Sequence, residues 1–182
     1  GTVPISLSLA GRHNVMNALA ATACCLNIGI DLAVIKSGLE KMSPVKGRLQ
    51  IKQGKRAIRI IDDTYNANPT SLSAAINVLS SYSGQRYLVL GDMGELGESS
   101  IQMHTDAGNN AKQRGIDGLF TLGKLSANAT QAFGDGARHF ESVDALNQAL
   151  SDIGQDDTTI LVKGSRSMQM ERVVNALTEE QS

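Results

Sequence analysis

Short apolar runs alternate with amphipathic segments over most of the chain, and this rhythm predicts strands alternating with helices. The predicted strands cover residues 49–52, 57–61, 87–90, 119–122, 138–140 and 159–162. The predicted helices between and after them cover residues 71–81, 99–114, 124–132, 143–152 and 168–177. Strands as uniformly apolar as 88–90 and 160–162 are typical of a parallel sheet covered on both faces. The predicted fold class is therefore α/β, with a doubly wound, mainly parallel sheet.

The first 43 residues follow a different pattern. Residues 3–9 alternate apolar and polar positions and predict a strand, whereas the Ala- and Leu-rich residues 14–28 are suited to a buried helix. A second, short helix is predicted over residues 31–42, with Asp31 as its N-cap. Residues 43–47 contain a Pro and a Gly that interrupt this helical unit, and they are the best candidate for a domain boundary.

Composition and charge argue against several classes of function. The chain has 182 residues, with 17 basic against 18 acidic side chains, and this balance argues against a binder of nucleic acid. It has no Trp and only three Tyr and three Phe, so stacking platforms for single-stranded bases are scarce. No apolar run reaches the roughly 18 to 20 residues that cross a bilayer.

Adjacent Cys24 and Cys25 are expected to be reduced core residues, and the expected setting is the cytoplasm. Gly1 is not an initiator Met, so a fragment is expected.

Ligands of doubly wound sheets bind beyond the carboxyl ends of the strands, where the loop of residues 62–71 is unusually polar. Of the paired Asp62 and Asp63, one carboxylate could accept hydrogen bonds from ribose hydroxyls or lie near a metal ion while the other is structural. The spacing does not say which does which. The end of this loop is expected to begin a helix, with Thr70 or Ser71 as N-cap.

Two more strand-end loops carry candidate chemistry. Residues 90–98 are rich in Gly and in acidic side chains that would repel an anion, which favours a tight loop near a substrate over a phosphate cradle. After the last strand, Lys163, Ser165 and Arg166 make a candidate clamp for a carboxylate or phosphate. The alternative is a solvated basic turn in which Ser167 caps the last helix.

The amino-terminal unit adds a fourth candidate site. Asn14 and Asn17 lie three residues apart on the first turn of a predicted helix, so two amides on one face could pair with the edge of a purine. Asn14 could equally be the helix cap, and His13 is more typical of a structural or capping residue. Next to the boundary, Arg48 could reach a phosphate or could simply begin a strand in solvent.

Five motifs, in this order, closely resemble the carboxyl-terminal part of the Mur ligases, the cytoplasmic ATP-dependent amide-forming enzymes of peptidoglycan precursor synthesis. They are residues 11–17 (GRHNVMN), 47–48 (GR), 62–69 (DDTYNANP), 90–97 (LGDMGELG) and 161–167 (LVKGSRS). The resemblance is to the branch that adds D-alanyl-D-alanine. It implies that residues 1–43 are the tail of a central ATP-binding domain and that residues 44–182 form the Rossmann-like carboxyl-terminal domain.

The resemblance also implies roles for individual residues. Asn14 and Asn17 would face the adenine of ATP, Arg48 its phosphates and Asp63 its ribose. The residues implied on the side of the dipeptide and the acyl intermediate are Tyr65, Asn66, Asn68, Lys163, Ser165 and Arg166. No catalytic residue and no metal ligand is implied within this chain.

The P-loop pattern and the family's metal ligands are absent from this sequence, so the chain alone is expected to be inactive. The implied reaction uses ATP and Mg²⁺ to phosphorylate the carboxylate of UDP-N-acetylmuramoyl-tripeptide, and the amine of D-alanyl-D-alanine then displaces phosphate. The implied partners are these small molecules and the missing domains in cis, in a monomer. Two alternatives stay open: a stand-alone Rossmann-like module that binds a nucleotide or small acid, and a sibling ligase that adds another amino acid.

Overall fold

The computed structural model describes residues 1–9, 11–43, 45–153 and 157–178. The chain divides into two compact units, Gly1–Val45 and Lys46–Ser182. The first unit contains the helices α1 (Arg12–Asn27) and α2 (Leu32–Glu40). Asp31 is the N-cap of α2, as predicted, because its side chain accepts a hydrogen bond from the Ala33 N–H at 2.7 Å.

Two predictions for the first unit are wrong. Residues 3–9, all of which are described, form no strand: the Pro4 carbonyl and the Ser6 N–H bond instead to the side chains of Lys36 and Glu40 on α2. A period of two is not enough for a strand, which also needs a hydrogen-bonded neighbour.

The helix α1 is also not buried in the described structure. Its Met16 side chain is 59% exposed, Val15, Leu19 and Leu26 are exposed as well, and Cys24 is exposed rather than in a core. The apolar composition of a helix shows that it can be covered but does not supply the covering surface.

The second unit is a six-stranded sheet with helices on both faces. Its strands are β1 (Gln50–Gln53), β2 (Arg59–Asp63), β3 (Gln85–Gly91), β4 (Gly118–Leu122), β5 (Ala137–Phe140) and β6 (Thr158–Lys163). Its helices are α3 (Pro69–Ser80), α4 (Ser100–Gln113), α5 (Ala127–Phe133), α6 (Val143–Ser151) and α7 (Glu171–Thr178). The strand order is β1-β2-β6-β3-β4-β5. All neighbouring pairs are parallel except β1 with β2, which is antiparallel.

Two apolar layers hold the helices against the sheet. On one face, sheet residues such as Leu88 and Leu161 pack with buried side chains of α3, α4 and α5. On the other face, Val89 and Ile160 pack with α6 and α7. The alternation of side chains along each central strand therefore fills both layers, which is why those strands are apolar throughout. The predicted doubly wound, mainly parallel sheet is confirmed.

Within the described ranges, none of the helices combines the length and the apolar character that crossing a bilayer requires.

Candidate functional site

The predicted loops meet at the carboxyl edge of the sheet because β2, β6 and β3 are parallel neighbours. In the strand register, Lys163 at the end of β6 lies beside Asp63 of β2 and beside Leu90 of β3. The polar loops that follow these three strands are therefore adjacent in space although they are far apart in sequence. Doubly wound folds bind their ligands beyond this edge of the sheet.

A buried ion pair joins two of the predicted site residues. The Nζ atom of Lys163 donates to Asp63 Oδ2 at 2.5 Å and to the Asn66 carbonyl at 2.9 Å. The Lys163 side chain is only 2% exposed, and this burial lowers the pKa of its ammonium group, against the opposing effect of Asp63. Asp63 and Lys163 are predicted to contact different ligands, whereas in the structure each is the other's charged partner.

The two neighbouring carboxylates are engaged differently. Asp62 accepts from Lys52 Nζ at 2.7 Å and from the Thr64 hydroxyl at 2.7 Å, so it ties β1 and its own loop to β2. Asp63 accepts from the Leu49 N–H at 3.1 Å as well as from Lys163. A carboxylate has about four lone-pair sites, so Asp63 keeps the capacity to accept from a further donor.

Arg48 is exposed but held in place. Its guanidinium lies 4.4 Å from the centre of the Tyr65 ring, in cation–π geometry. The Tyr65 N–H donates to the Gly47 carbonyl at 3.0 Å, and Gly47 has a φ of 71°. A Cβ at this position would lie 2.9 Å from the Tyr65 nitrogen, so the contact that brings Arg48 to Tyr65 requires glycine.

The end of the 62–71 loop corrects a predicted cap. The N-cap of α3 is Asn68, not Thr70 or Ser71: its side chain accepts from the Ser71 N–H at 2.8 Å, and its own N–H donates to Ser71 Oγ at 3.1 Å. Asn66 Oδ1 accepts from the Ala67 N–H at 2.8 Å. Asn66 and Asn68 are both predicted on the substrate side, and their amide oxygens thus stabilise the loop itself.

The basic loop after β6 has its charges partnered within the protein. Arg166, 61% exposed, pairs with Glu171 at 2.8 Å, while Lys163 pairs with Asp63. The hydroxyl oxygens of Ser165 and Ser167 lie 3.0 Å apart. Ser167 lies in a 3-10 turn, Arg166–Met168, and α7 begins only at Glu171, so the alternative in which Ser167 caps the last helix is wrong.

Two residues that organise this edge, in and next to the 90–98 loop, are not among the predicted site residues. Asp92 contacts the loops that follow β4 and β6, and His104, fully buried on α4, accepts from the Met93 N–H at 3.0 Å. An acidic residue directly after a buried strand was the available signal for Asp92. His104 gave none, because its contact depends on how α4 packs.

Asn14 and Asn17 belong to the first unit. Asn17 Nδ2 donates to Asn14 Oδ1 at 3.5 Å, so the two amides do share one face of α1. The N-cap residue of this helix is Gly11, and the alternative in which Asn14 is the cap is therefore wrong. The side chain of His13 lies outside what the structure describes. Among the described residues, no three His, Cys, Asp or Glu side chains gather as the ligands of a metal ion would.

Comparisons with known proteins agree with this architecture. The family model described as "Mur ligase, glutamate ligase domain" matches residues 47–166. The chain is 45% identical to UDP-N-acetylmuramoyl-tripeptide–D-alanyl-D-alanine ligase of Escherichia coli (strain K12), over 98% of this chain and 40% of that protein. It is 42% identical to the ligase of the same name from Haemophilus influenzae, over 99% of this chain and again 40% of the relative.

Solved structures give the same picture. The crystal structure of MurF from Acinetobacter baumannii superposes with a TM-score of 0.86 at 37% identity, covering 97% of this chain and 39% of that one. MurF from Thermotoga maritima, solved in complex with ADP, has a TM-score of 0.82 at 23% identity and covers 95% of this chain and 40% of that one, which shows the shared fold. The chain spans about two fifths of the length of these relatives.

Proposed function

Because the chain belongs to the Mur ligase family, we propose that it is the carboxyl-terminal part of an ATP-dependent ligase that joins D-alanyl-D-alanine to UDP-N-acetylmuramoyl-tripeptide. The observation that carries this proposal is the 45% identity, over 98% of the chain, to a relative named for that activity. The full-length protein, meaning this chain preceded by the amino-terminal part that its relatives carry, would perform the reaction in the cytoplasm, where ATP is available.

We assign residues 1–43 to the end of a central ATP-binding domain and residues 44–182 to the Rossmann-like carboxyl-terminal domain. The division of the structure at Val45 and Lys46 supports this assignment. The exposed apolar side chains of α1, including Met16 and Leu19, support it as well, since a helix of this composition normally packs against other elements of its own domain.

On the nucleotide side, we assign Asn14 and Asn17 to the adenine, Arg48 to the phosphates and Asp63 to the ribose. Arg48 suits that role because its guanidinium is exposed, and stacking on Tyr65 limits the side-chain entropy that binding would otherwise lose. Asp63 suits it because its carboxylate is fixed by Leu49 and Lys163 and can still accept a hydroxyl.

On the acceptor side, the proposed residues lie at the end of β6 or in the loops that follow β2 and β6, at the same edge of the sheet. They are Tyr65, Asn66, Asn68, Lys163, Ser165 and Arg166. Arg166 is the cation best suited to contact a carboxylate, because its exposed pair with Glu171 is weak and can be exchanged. Lys163 would act by holding Asp63 and the Asn66 carbonyl, since burial leaves it little access to a ligand.

The chemistry of the proposed reaction is an acyl transfer. The tripeptide carboxylate takes the γ-phosphoryl group of ATP to give an acyl phosphate and ADP, and the dipeptide amine then attacks the acyl carbon and releases phosphate. Bound Mg²⁺ would neutralise charge on the phosphates. The resemblance to the Mur ligases implies that most ligands of Mg²⁺ lie in the amino-terminal part.

The test is phosphate release by the full-length protein with ATP, Mg²⁺, UDP-N-acetylmuramoyl-tripeptide and D-alanyl-D-alanine. We expect release that requires the dipeptide and is not supported by single amino acids. Release with a different acceptor would favour a sibling ligase. Nucleotide binding without any acceptor-dependent release would favour the binding module.

A further inference from the structure

The loop after β3 has no role in the proposed reaction, yet its first residue, Asp92, links three strand-end loops. Asp92 Oδ1 accepts from the Ser126 N–H at 2.8 Å, and Oδ2 accepts from the Leu125 N–H at 3.2 Å. Both donors belong to the segment between β4 and α5. A Cβ on Gly123 would come within 2.5 Å of the carboxylate, so this segment is packed directly on Asp92.

The main chain of the same residue holds the loop after β6. The Asp92 carbonyl accepts from the Ser165 N–H at 2.9 Å. Immediately before Ser165, a Cβ on Gly164 would lie 3.2 Å from the Gly91 Cα and 2.7 Å from Met170 Cγ, so the loop after β6 packs closely against the end of β3. The conformation of Asp92 and the position of Ser165 are therefore coupled.

A buried imidazole fixes the next residue. The Met93 N–H donates to His104 Nε2 at 3.0 Å, so Nε2 carries a lone pair and the proton lies on Nδ1. Nδ1 in turn donates to the Ser100 carbonyl at 2.7 Å. His104 thus anchors the loop to α4 while Asp92 anchors it to the start of α5.

We propose that Asp92 is a positioning residue for acceptor binding: its carboxylate fixes the loop after β3, whose backbone then holds Ser165 and the rest of the loop after β6. This inference rests on the proposed function, in which the loop after β6 contacts the acceptor. If the loop were not held, acceptor binding would have to order it, and affinity would fall without any lost contact to the ligand.

The first arm of the test needs no ligand. Hydrogen–deuterium exchange of the full-length protein is read by mass spectrometry at the Ser165 and Ser126 amides, for the wild type, Asp92→Ala and Asp92→Asn. We expect exchange at Ser165 to rise about tenfold in Asp92→Ala, and less in Asp92→Asn, which keeps one acceptor oxygen. Unchanged exchange at Ser165 would overturn the proposal.

The chain offers a matched control in Asp117. Its carboxylate also accepts a backbone N–H, that of Arg86, at 2.9 Å, and it also contacts Arg86 Nε at 3.3 Å, but it lies at the amino end of β4. We expect Asp117→Ala to lose stability as Asp92→Ala does while leaving exchange at Ser165 unchanged.

The second arm compares steady-state constants for the same variants. We expect Asp92→Ala to raise the KM for D-alanyl-D-alanine about tenfold, with kcat and the KM for ATP within about twofold of wild type. An equal rise in Asp117→Ala, or no rise in Asp92→Ala, would overturn the proposal. A wild-type protein that ignores the dipeptide would overturn the proposed function instead, and exchange at Ser165 would still decide whether Asp92 fixes the loop.

Discussion

Two adjacent carboxylates at the end of β2 each pair with a lysine, but the two ion pairs differ in surroundings and reach. Asp62 pairs with Lys52, which lies on the antiparallel edge strand β1. The Lys52 side chain is 28% exposed. Asp63 pairs with Lys163, which lies on the central strand β6. The Lys163 side chain is 2% exposed. Successive residues of a strand point to opposite faces, so neighbours in sequence meet different partners.

The two ion pairs therefore have different structural roles. The Asp62 pair attaches the edge strand to the sheet, whereas the Asp63 pair orders the proposed binding site. The Asp62 pair joins β1 to β2 and orders Thr64. The Asp63 pair joins β2 to β6 and, through the Asn66 carbonyl, fixes the loop that carries Tyr65. Of the two carboxylates, only Asp63 combines a rigid setting with a place among the proposed binding residues.

The largest effect is expected from removing the buried lysine. Lys163→Met leaves the Asp63 carboxylate buried without its charged partner, and we expect the free energy of unfolding to fall by about 3–5 kcal/mol. Urea unfolding of the chain measures it. The comparison variant is Lys52→Met, which also leaves a buried carboxylate, since the Asp62 side chain is 1% exposed. Asp62 keeps its hydrogen bond from the Thr64 hydroxyl, and water can take the place of the 28% exposed Lys52 side chain, so we expect a smaller loss of about 1–3 kcal/mol. Equal losses in the two variants would contradict the distinction between the pairs.

The second-largest effect is expected on the KM for ATP when Asp63 is replaced. In the full-length protein we expect Asp63→Ala to raise the KM for ATP about tenfold, because a fixed acceptor for the ribose is lost. Asp62→Asn serves as the control and should leave the KM for ATP within about twofold of wild type. Initial rates of phosphate release at varied ATP measure both, and an ATP KM that rises only in Asp62→Asn would reverse the assignment.

A smaller effect is expected from the first unit. Asn17→Ala removes one exposed amide from α1, and we expect the KM for ATP to rise about fivefold, as for one neutral hydrogen bond. The KM for D-alanyl-D-alanine should stay unchanged. Thr22→Ala, on the same helix, is the control because the Thr22 hydroxyl bonds only to the Ala18 carbonyl at 2.8 Å in the described contacts. Wild-type ATP kinetics in Asn17→Ala would remove this residue from the nucleotide side.

The smallest effect is a dependence on pH. Burial lowers the pKa of Lys163 in the folded chain, so the unfolded chain binds more protons between that pKa and the ordinary lysine value of about 10.4. Stability contributed by this group therefore rises with pH in that window. The difference in unfolding free energy between wild type and Lys163→Met should grow as pH rises toward 10.4. A difference that shrinks would contradict the lowered pKa.

Much of the fold follows from local patterns. Residues 160–162 predict a central strand because they are apolar on both faces, and Pro69 limits where α3 can begin. The sequence also contained the signal for the N-cap that was assigned wrongly: a proline at the first helical position makes the preceding residue, Asn68, the cap.

The ion pair between Asp63 and Lys163 could not be predicted from local sequence patterns. The period of two says that Asp62 and Asp63 face opposite sides, but the partner of Asp63 lies 100 residues away. It is found only once the strand order is known. The contact between His104 and Met93 depends in the same way on the packing of α4. Local patterns therefore predict elements, whereas the partners of buried charged and polar groups come from topology.

The proposed activity is the joining of D-alanyl-D-alanine to the tripeptide by the full-length protein, and it can be tested by measuring the mass of the product. The full-length protein is incubated with ATP, Mg²⁺, UDP-N-acetylmuramoyl-tripeptide and the dipeptide, and the nucleotide-linked products are analysed by mass spectrometry. We expect a product heavier by one alanyl-alanine unit, formed with one phosphate for each product molecule. ADP and phosphate without that product, or a product carrying a different amino acid, would contradict it.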